Sequence, residues 1–198
     1  MNQTKKERTQ KEIIQAAKEI VRDKGYEAVT VRYLAEVTGY SHTNLYYYFK
    51  DLNALLWVLR FVMVEDMITE LASVSITKDD PVEEILEAFF CYTDYFFKHP
   101  NVFRFFYFYS FVQPEGDDSY EKLEERFSSM WQTSFSRLLQ EGILQPTDVE
   151  VVAKTIIYAL QGMIMLSFSS NGLTRQEDIK EELVKLINYL FNRDKENI

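Results

Sequence analysis

The chain is poor in cysteine, proline and glycine. Its 198 residues include one cysteine, four prolines and six glycines. With Cys91 alone, no disulfide can close within the chain and no thiolate zinc site can form, which fits a reducing compartment. So few prolines and glycines, with few strictly alternating apolar runs, argue against sheets joined by tight turns and for an all-α fold. Histidine is scarce too: His42 and His99 fall on different elements, with no acid at ligand spacing. There is no glycine-rich phosphate loop, no HExxH pair and no nucleophile elbow, so catalysis, a metal and a cofactor are all unexpected. The polar opening residues argue against a secretory signal. The longest apolar tract, 155–168, contains Gln161 and is shorter than the ~20 residues of a membrane span. A cytoplasmic location and no membrane partner are the expectation. Cys91, between Phe90 and Tyr92, reads as a small buried hydrophobe.

Positive charge is also in deficit. Lys and Arg number 22 against 31 Asp and Glu, a net charge of −9. That balance alone argues against a nucleic-acid partner, but its distribution does not. Residues 1–60 hold ten basic and seven acidic side chains, net +3, and residues 61–198 carry net −12. Phosphate attraction is decided locally, because salt screens charges beyond about 8–10 Å. An acidic remainder would repel DNA and favour docking by the N-terminal end.

What the sequence does contain is helical periodicity punctuated by caps. About nine helices are predicted. The leader 1–8 carries Lys5, Lys6 and Arg8, and reads either as a solvated tail or as an arm touching phosphate. Thr9 and Glu12 suit a capping box for the first helix, whose inner face is Ile13, Ala17, Ile20 and Val21 and whose stop is Gly25. Asp51 suits the cap of a fourth helix running into the low 70s, with Leu55, Leu56, Leu59, Val62 and Met63 as its stripe. Asp80, Pro81, Glu83 and Glu84 mark the start of a fifth, up to Lys98. Pro100 forces a break before a sixth over 102–112. A seventh spans 120–141 and stops at Gly142. Thr147 with Glu150 suits the cap of the eighth. After a turn at Asn171-Gly172, Thr174 with Glu177 suits that of the ninth, ending near Asn192.

The most informative stretch is 30–50, TVRYLAEVTGYSHTNLYYYFK. Val31, Leu34, Ala35 and Thr38 recur at helical spacing behind a Thr30 cap. Gly39 ends that pattern and Ser41 can cap a second helix. There Leu45, Tyr48 and Phe49 share one face, while Thr43, Tyr47 and Lys50 point away with Asn44 and Tyr46 on the flanks. Burying Leu and Phe while offering hydroxyls, an amide and an ammonium outward is what a helix needs to lie in a DNA groove.

Residues 8–56 resemble the DNA-binding domain of the TetR family of bacterial transcriptional regulators. The matching pieces are Ile13-Ile14-x-Ala16-Ala17, Lys24-Gly25-Tyr26, Thr30-Val31-Arg32-x-Leu34-Ala35, Gly39-x-Ser41, Leu45-Tyr46-Tyr47-Tyr48-Phe49-Lys50 and Leu55-Leu56. The resemblance implies a three-helix helix-turn-helix domain at 7–64 and a C-terminal helical bundle at 65–198 for effector binding and dimerisation. It implies that Tyr46 and Lys50 hold phosphates. His42, Thr43, Asn44 and Tyr47 would face base edges or the adjacent backbone. Thr30, Arg32 and Ser41 lie beside them, Thr30 where a helix start attracts anions. Asn44 suits base reading, since its amide can pair bidentately with adenine. Leu52 stands where the family commonly has a second lysine, so one phosphate contact is missing from the pattern.

Two further expectations concern the C-terminal part. The last two helices, about 147–192, are apolar on more than one side, and the resemblance implies that they pair with those of a twin subunit. The aromatic helices over 81–135 read mostly as core. The resemblance adds a pocket for a small effector, apolar or aromatic, for which Phe96, Arg104, Tyr107, Phe108 and Trp131 are the candidates. The reading is then a DNA-binding regulator, most simply a repressor of a palindromic operator. The alternative is a helix-turn-helix module that docks DNA or protein without an effector.

Overall fold

The structure is a computed structural model and describes residues 4–169 and 175–191. Among these residues the fold is all-α: α1 (Lys5–Lys24), a 3-10 turn (Tyr26–Ala28), α2 (Val31–Thr38), α3 (His42–Tyr48), α4 (Leu52–Ala72), α5 (Pro81–Lys98), α6 (Pro100–Phe108), α7 (Ser119–Ser134), α8 (Ser136–Gln140), α9 (Val149–Phe168) and α10 (Gln176–Leu190). The chain forms two compact units. One comprises the residues up to Thr69 together with His99–Ser119, the other Glu70–Lys98 with the residues from Tyr120 onward.

The first unit is built on α1. Ile13, Ala17 and Val21 are fully buried, as their shared face requires. The helix starts one turn earlier than the sequence suggested. Thr4, not Thr9, is the N-cap: its hydroxyl accepts from Glu7 N–H at 3.3 Å, and the Glu7 carboxylate accepts from Thr4 N–H at 3.0 Å. Thr9 is buried instead, and Glu12 turns to the Tyr40 hydroxyl at 2.6 Å. Gly25 ends α1 with φ +87°. Asp51 caps α4 as expected, accepting from Ala54 N–H at 2.8 Å.

The division at 64/65 differs from this packing. Helix α6 belongs with α1 and the 3-10 turn: Asn101 donates to the Arg22 carbonyl at 3.0 Å, Phe103 and Phe105 are fully buried, and Tyr26 of the turn meets Phe105 and, just past α6, Tyr109 at 6.3 and 5.4 Å. The helix stops at Phe108 rather than near 112, because Tyr109 turns extended. The irregular segment that follows is fastened to α4. Asn53 donates to the Val112 carbonyl at 2.9 Å and accepts from its N–H at 3.4 Å. The Trp57 indole donates to Asp117 at 3.1 Å. A hydrogen bond to a charged acceptor of this kind contributes about 1.5–3 kcal/mol.

The second unit has Phe96, Phe135, Leu138, Ile156, Leu160, Ile164, Ile179, Leu183 and Ile187 at its centre, all without exposed surface. Asp80 caps α5 by accepting from Val82 N–H at 2.9 Å. The expected single helix over 120–141 is two, broken at Phe135 (φ −92°, ψ 4°). That break lets Phe135 and Leu138 both point inward. Arg137 then gathers the preceding loop, donating to the Lys78 and Asp79 carbonyls at 2.7 and 3.0 Å. It also pairs with Glu84 on α5. Gly142 stops α8 with φ +70°.

One expected cap changes. Helix α9 starts after Asp148, and no side chain caps it. The Thr147 hydroxyl donates to Asp148 at 3.1 Å, while Glu150 pairs with Lys154 at 2.6 Å. Arg175 with Asp178 closes the start of α10, and Thr174, Asn171, Gly172 and Asn192 lie outside the described residues. Cys91 is half-buried rather than buried, and desolvation pushes its thiol above the usual range. At twenty residues α9 is long and apolar enough to cross a bilayer, which the shorter tract at 155–168 did not suggest. Its Ala153, Ile156, Leu160 and Ile164 are nevertheless packed inside the second unit, as a core helix requires.

Candidate nucleic-acid interface

Two capped helices and one left-handed residue set the site. Thr30 is extended (φ −123°, ψ 153°) and accepts from Tyr33 N–H at 3.1 Å, which starts α2. Leu34 is buried and holds α2 to the core. Gly39 ends the helix at φ 73°, ψ 4°, its N–H bonded to the Ala35 carbonyl at 2.9 Å. Only glycine takes that conformation without strain. Ser41 then caps α3 through Asn44 N–H at 3.2 Å. Replacing such a cap by alanine costs about 1 kcal/mol.

The seven residues of α3 divide cleanly. Leu45 and, just beyond, Phe49 are buried. His42, Thr43, Asn44, Tyr46, Tyr47 and Lys50 are exposed, and Tyr48 is half-buried. Tyr46 and Tyr47 are 53% and 68% exposed, far more than rings in a core would be. Thr30, Arg32 and Ser41 are exposed as well. The Thr30 and Ser41 oxygens are used as caps, so each hydroxyl proton is left to donate outward. All nine residues expected at the interface are therefore accessible on α2, α3 and their flanks. Leu52, at the start of α4, is half-buried.

The turn is braced from behind. The Tyr40 hydroxyl donates to Glu12, and Arg8 pairs with the same carboxylate at 3.1 Å. The Tyr40 hydrogen bond first, and Arg8 second, hold the Glu12 carboxyl below its ordinary range. The same bond raises the Tyr40 phenol. Gln10 donates to the Tyr48 carbonyl at 3.4 Å, so α1 also touches the end of α3. Sequence reasoning missed Gln10, Glu12 and Tyr40 as parts of the site, because each acts through a partner 28 or 38 residues away.

The five candidates for an effector pocket do not share a unit. Arg104, Tyr107 and Phe108 belong to the first, Phe96 and Trp131 to the second. Phe96 is fully buried, edge-on to Tyr92 and Tyr95 at 4.8 and 5.3 Å. Trp131 is half-buried and lies near-parallel to Phe89 and Phe127 at 6.1 and 6.5 Å. Arg104 donates to Asn101 at 3.5 Å, Tyr107 packs on Phe103 at 4.6 Å, and Phe108 is 40% exposed. An open groove of about 520 Å³ exists on the first unit, but it is lined by Arg8, Lys11, Glu12, Gln15, Tyr40 and neighbours, none of them a candidate.

A glycine-turned helix pair that buries one face of its second helix and exposes the other is a helix-turn-helix DNA-binding domain. Residues 13–56 match the family model of the bacterial regulatory proteins of the tetR family. That match identifies residues 13–56 as a DNA-binding domain of the tetR regulatory-protein type. No curated protein matches it in sequence. Among solved structures it is similar in fold to RolR in complex with resorcinol (16% identity, 92% of this chain and 88% of that one, TM-score 0.67). It is also similar to a TetR/AcrR-family regulator from Thermobifida fusca (21%, 91% and 96%, TM-score 0.63). A third such structure is AibR in complex with isovaleryl coenzyme A and operator DNA (17%, 92% and 97%, TM-score 0.56).

Proposed function

We propose that the protein is a sequence-specific regulator that binds a palindromic operator as a two-fold homodimer and leaves it when a small apolar or aromatic effector binds. The observation that carries this reading is the division of α3, with Leu45 and Phe49 inside and Thr43, Asn44 and Tyr47 outside. Asn44 reads a base edge, Tyr46 and Lys50 hold phosphates, and His42, Thr43 and Tyr47 lie in the groove. Arg32, Thr30 and Ser41 flank them on the backbone. Two recognition helices about 34–36 Å apart would enter successive major grooves.

Dimerisation is supported by α9. Val151, Tyr158 and Met165 recur every seven residues and are 66%, 63% and 40% exposed. Thr155 and Gly162 fall between them and are also exposed. This is the spacing of a left-handed helix seam, and Gly162 lets a partner helix come close. Tyr189 on α10, 74% exposed, extends the apolar surface.

The DNA-binding role falls to 7–64, the effector and dimer roles to 65–198. His99–Ser119, packed with the first unit, would carry the signal between them. An effector that binds two arrangements of α4 unequally shifts the spacing of the recognition helices, which is repression relieved by differential affinity. RolR with resorcinol and AibR with isovaleryl coenzyme A are analogies for such an effector. The cytoplasm is where such a regulator would act. The rival reading, a docking module with no effector, draws on Phe96, whose full burial suits plain core. A footprint of the purified protein on DNA upstream of its own gene decides, repeated with a panel of aromatic and acyl compounds. Protection relieved by a compound supports the proposal. Protection that no compound alters favours the rival, and no protection on any duplex overturns both.

A further inference from the structure

The first two turns of α1 run beside the end of α3. Lys6 Nζ lies 5.4 Å from the centre of the Tyr47 ring. One turn on, Gln10 bonds the Tyr48 carbonyl at 3.4 Å. The Tyr47 ring is itself steadied edge-on by Tyr48 at 5.1 Å. A long flexible ammonium is thus parked on an exposed aromatic face, which attracts it electrostatically. Among the described residues no carboxylate pairs with Lys6, and Glu7 next to it is turned back to Thr4 N–H. Lys6 therefore keeps its charge uncompensated at the edge of the recognition surface.

We infer that Lys6 is a further phosphate contact of this domain, placed by Tyr47: the ring carries the ammonium to the DNA backbone beside the groove that α3 enters. Lys6 binds and Tyr47 positions, while the Tyr47 hydroxyl stays free to reach the duplex. The inference rests on the DNA-binding reading of α3 and adds a residue from α1 to it.

The test is the salt dependence of binding by the full chain to a duplex it selects from a random-sequence pool, and to a scrambled duplex. Removing one phosphate contact lowers the slope of log K against log salt by about 0.9. For each subunit bound, Lys6→Gln should lower the slope by that amount and weaken affinity about five-fold near 0.15 M salt, equally on both duplexes. Tyr47→Phe should keep the Lys6 contribution, because the ring remains. In a Tyr47→Leu background, Lys6→Gln should cost clearly less than five-fold. Both side chains are exposed, so circular dichroism should show the variants folded. An unchanged slope for Lys6→Gln, with wild type binding and Asn44→Ala losing specificity, overturns the inference and leaves the DNA reading intact. The same loss from Lys6→Gln with and without the Tyr47 ring overturns the positioning role. Failure of wild type to bind either duplex overturns both readings together.

Discussion

At the scale of single residues, the proposed interface separates side chains that would grip from those that would read. Lys50 is exposed just past the end of α3, where the proposed interface would set a cation against phosphate whatever the sequence. Lys50→Ala should weaken binding by a similar factor, about five-fold per subunit, on operator and scrambled duplex alike. Asn44→Ala should instead erase about 1–3 kcal/mol of discrimination at one base pair while leaving scrambled binding nearly unchanged. Competition titrations with single-base operator variants would distinguish the two patterns.

The brace behind the turn gives a pH signature. Glu12 is held below its ordinary range, chiefly by the Tyr40 hydroxyl and then by Arg8. A carboxylate whose folded pKa is depressed adds stability above its unfolded pKa, about 4.3 for glutamate, and loses it as pH falls through the folded value. Wild type should therefore melt above Glu12→Gln at neutral pH, and the gap should close as the solution is acidified. Tyr40→Phe should narrow the gap already at neutral pH. Thermal melts over that range suffice, and a gap that widens in acid would contradict the assignment.

At the scale of elements, the outer face of α9 carries the seam proposed for a twin subunit. Tyr158 is at the middle of the exposed seam, seven residues from both Val151 and Met165. Tyr158→Glu places an unpaired charge where the proposed twin helix would lie. It should yield monomers by sedimentation at concentrations where wild type is dimeric, with operator affinity falling by orders of magnitude. A variant that stays dimeric would move the interface elsewhere.

Helix starts illustrate what a sequence can reveal. Thr30, Ser41, Asp51 and Asp80 were legible because a cap needs only the next two or three residues. Thr4 and Thr9 both begin a T-x-x-E run, so local chemistry could not choose between them. Burial of Thr9 and the bond from Glu12 to Tyr40 made the choice, and both depend on residues far along the chain. The division of α3 into an inner and an outer face could be read from its spacing alone. The pairing of Lys6 with Tyr47 could not, since it joins elements 41 positions apart in the numbering. The effector candidates were chosen on aromatic content, which says how much will be buried but not which rings meet; they fall on both units.

At the scale of the whole molecule, the two units are not successive beads. The segment His99–Ser119 returns to the first unit after α5, bonds α1 through Asn101 with Phe103 and Phe105 fully buried, and fastens to α4 through Asn53 and Trp57. A fragment ending at residue 64 lacks that cover and keeps its apolar face bare. It should melt well below the full chain's first transition and aggregate on heating. Supplying 99–119 on a flexible linker to a fragment ending at residue 72 should recover much of the loss. Equal melting of the two fragments would show that the covering segment adds nothing to the head.

The polypeptide passes from one unit to the other three times, at 69/70, 98/99 and 119/120. A recognition head assembled from two separate stretches of the sequence in this way is not a cassette. Grafting it onto a different sensor by one splice would strand the aromatic patch in the wrong parent, so a working chimera has to transplant both pieces at once.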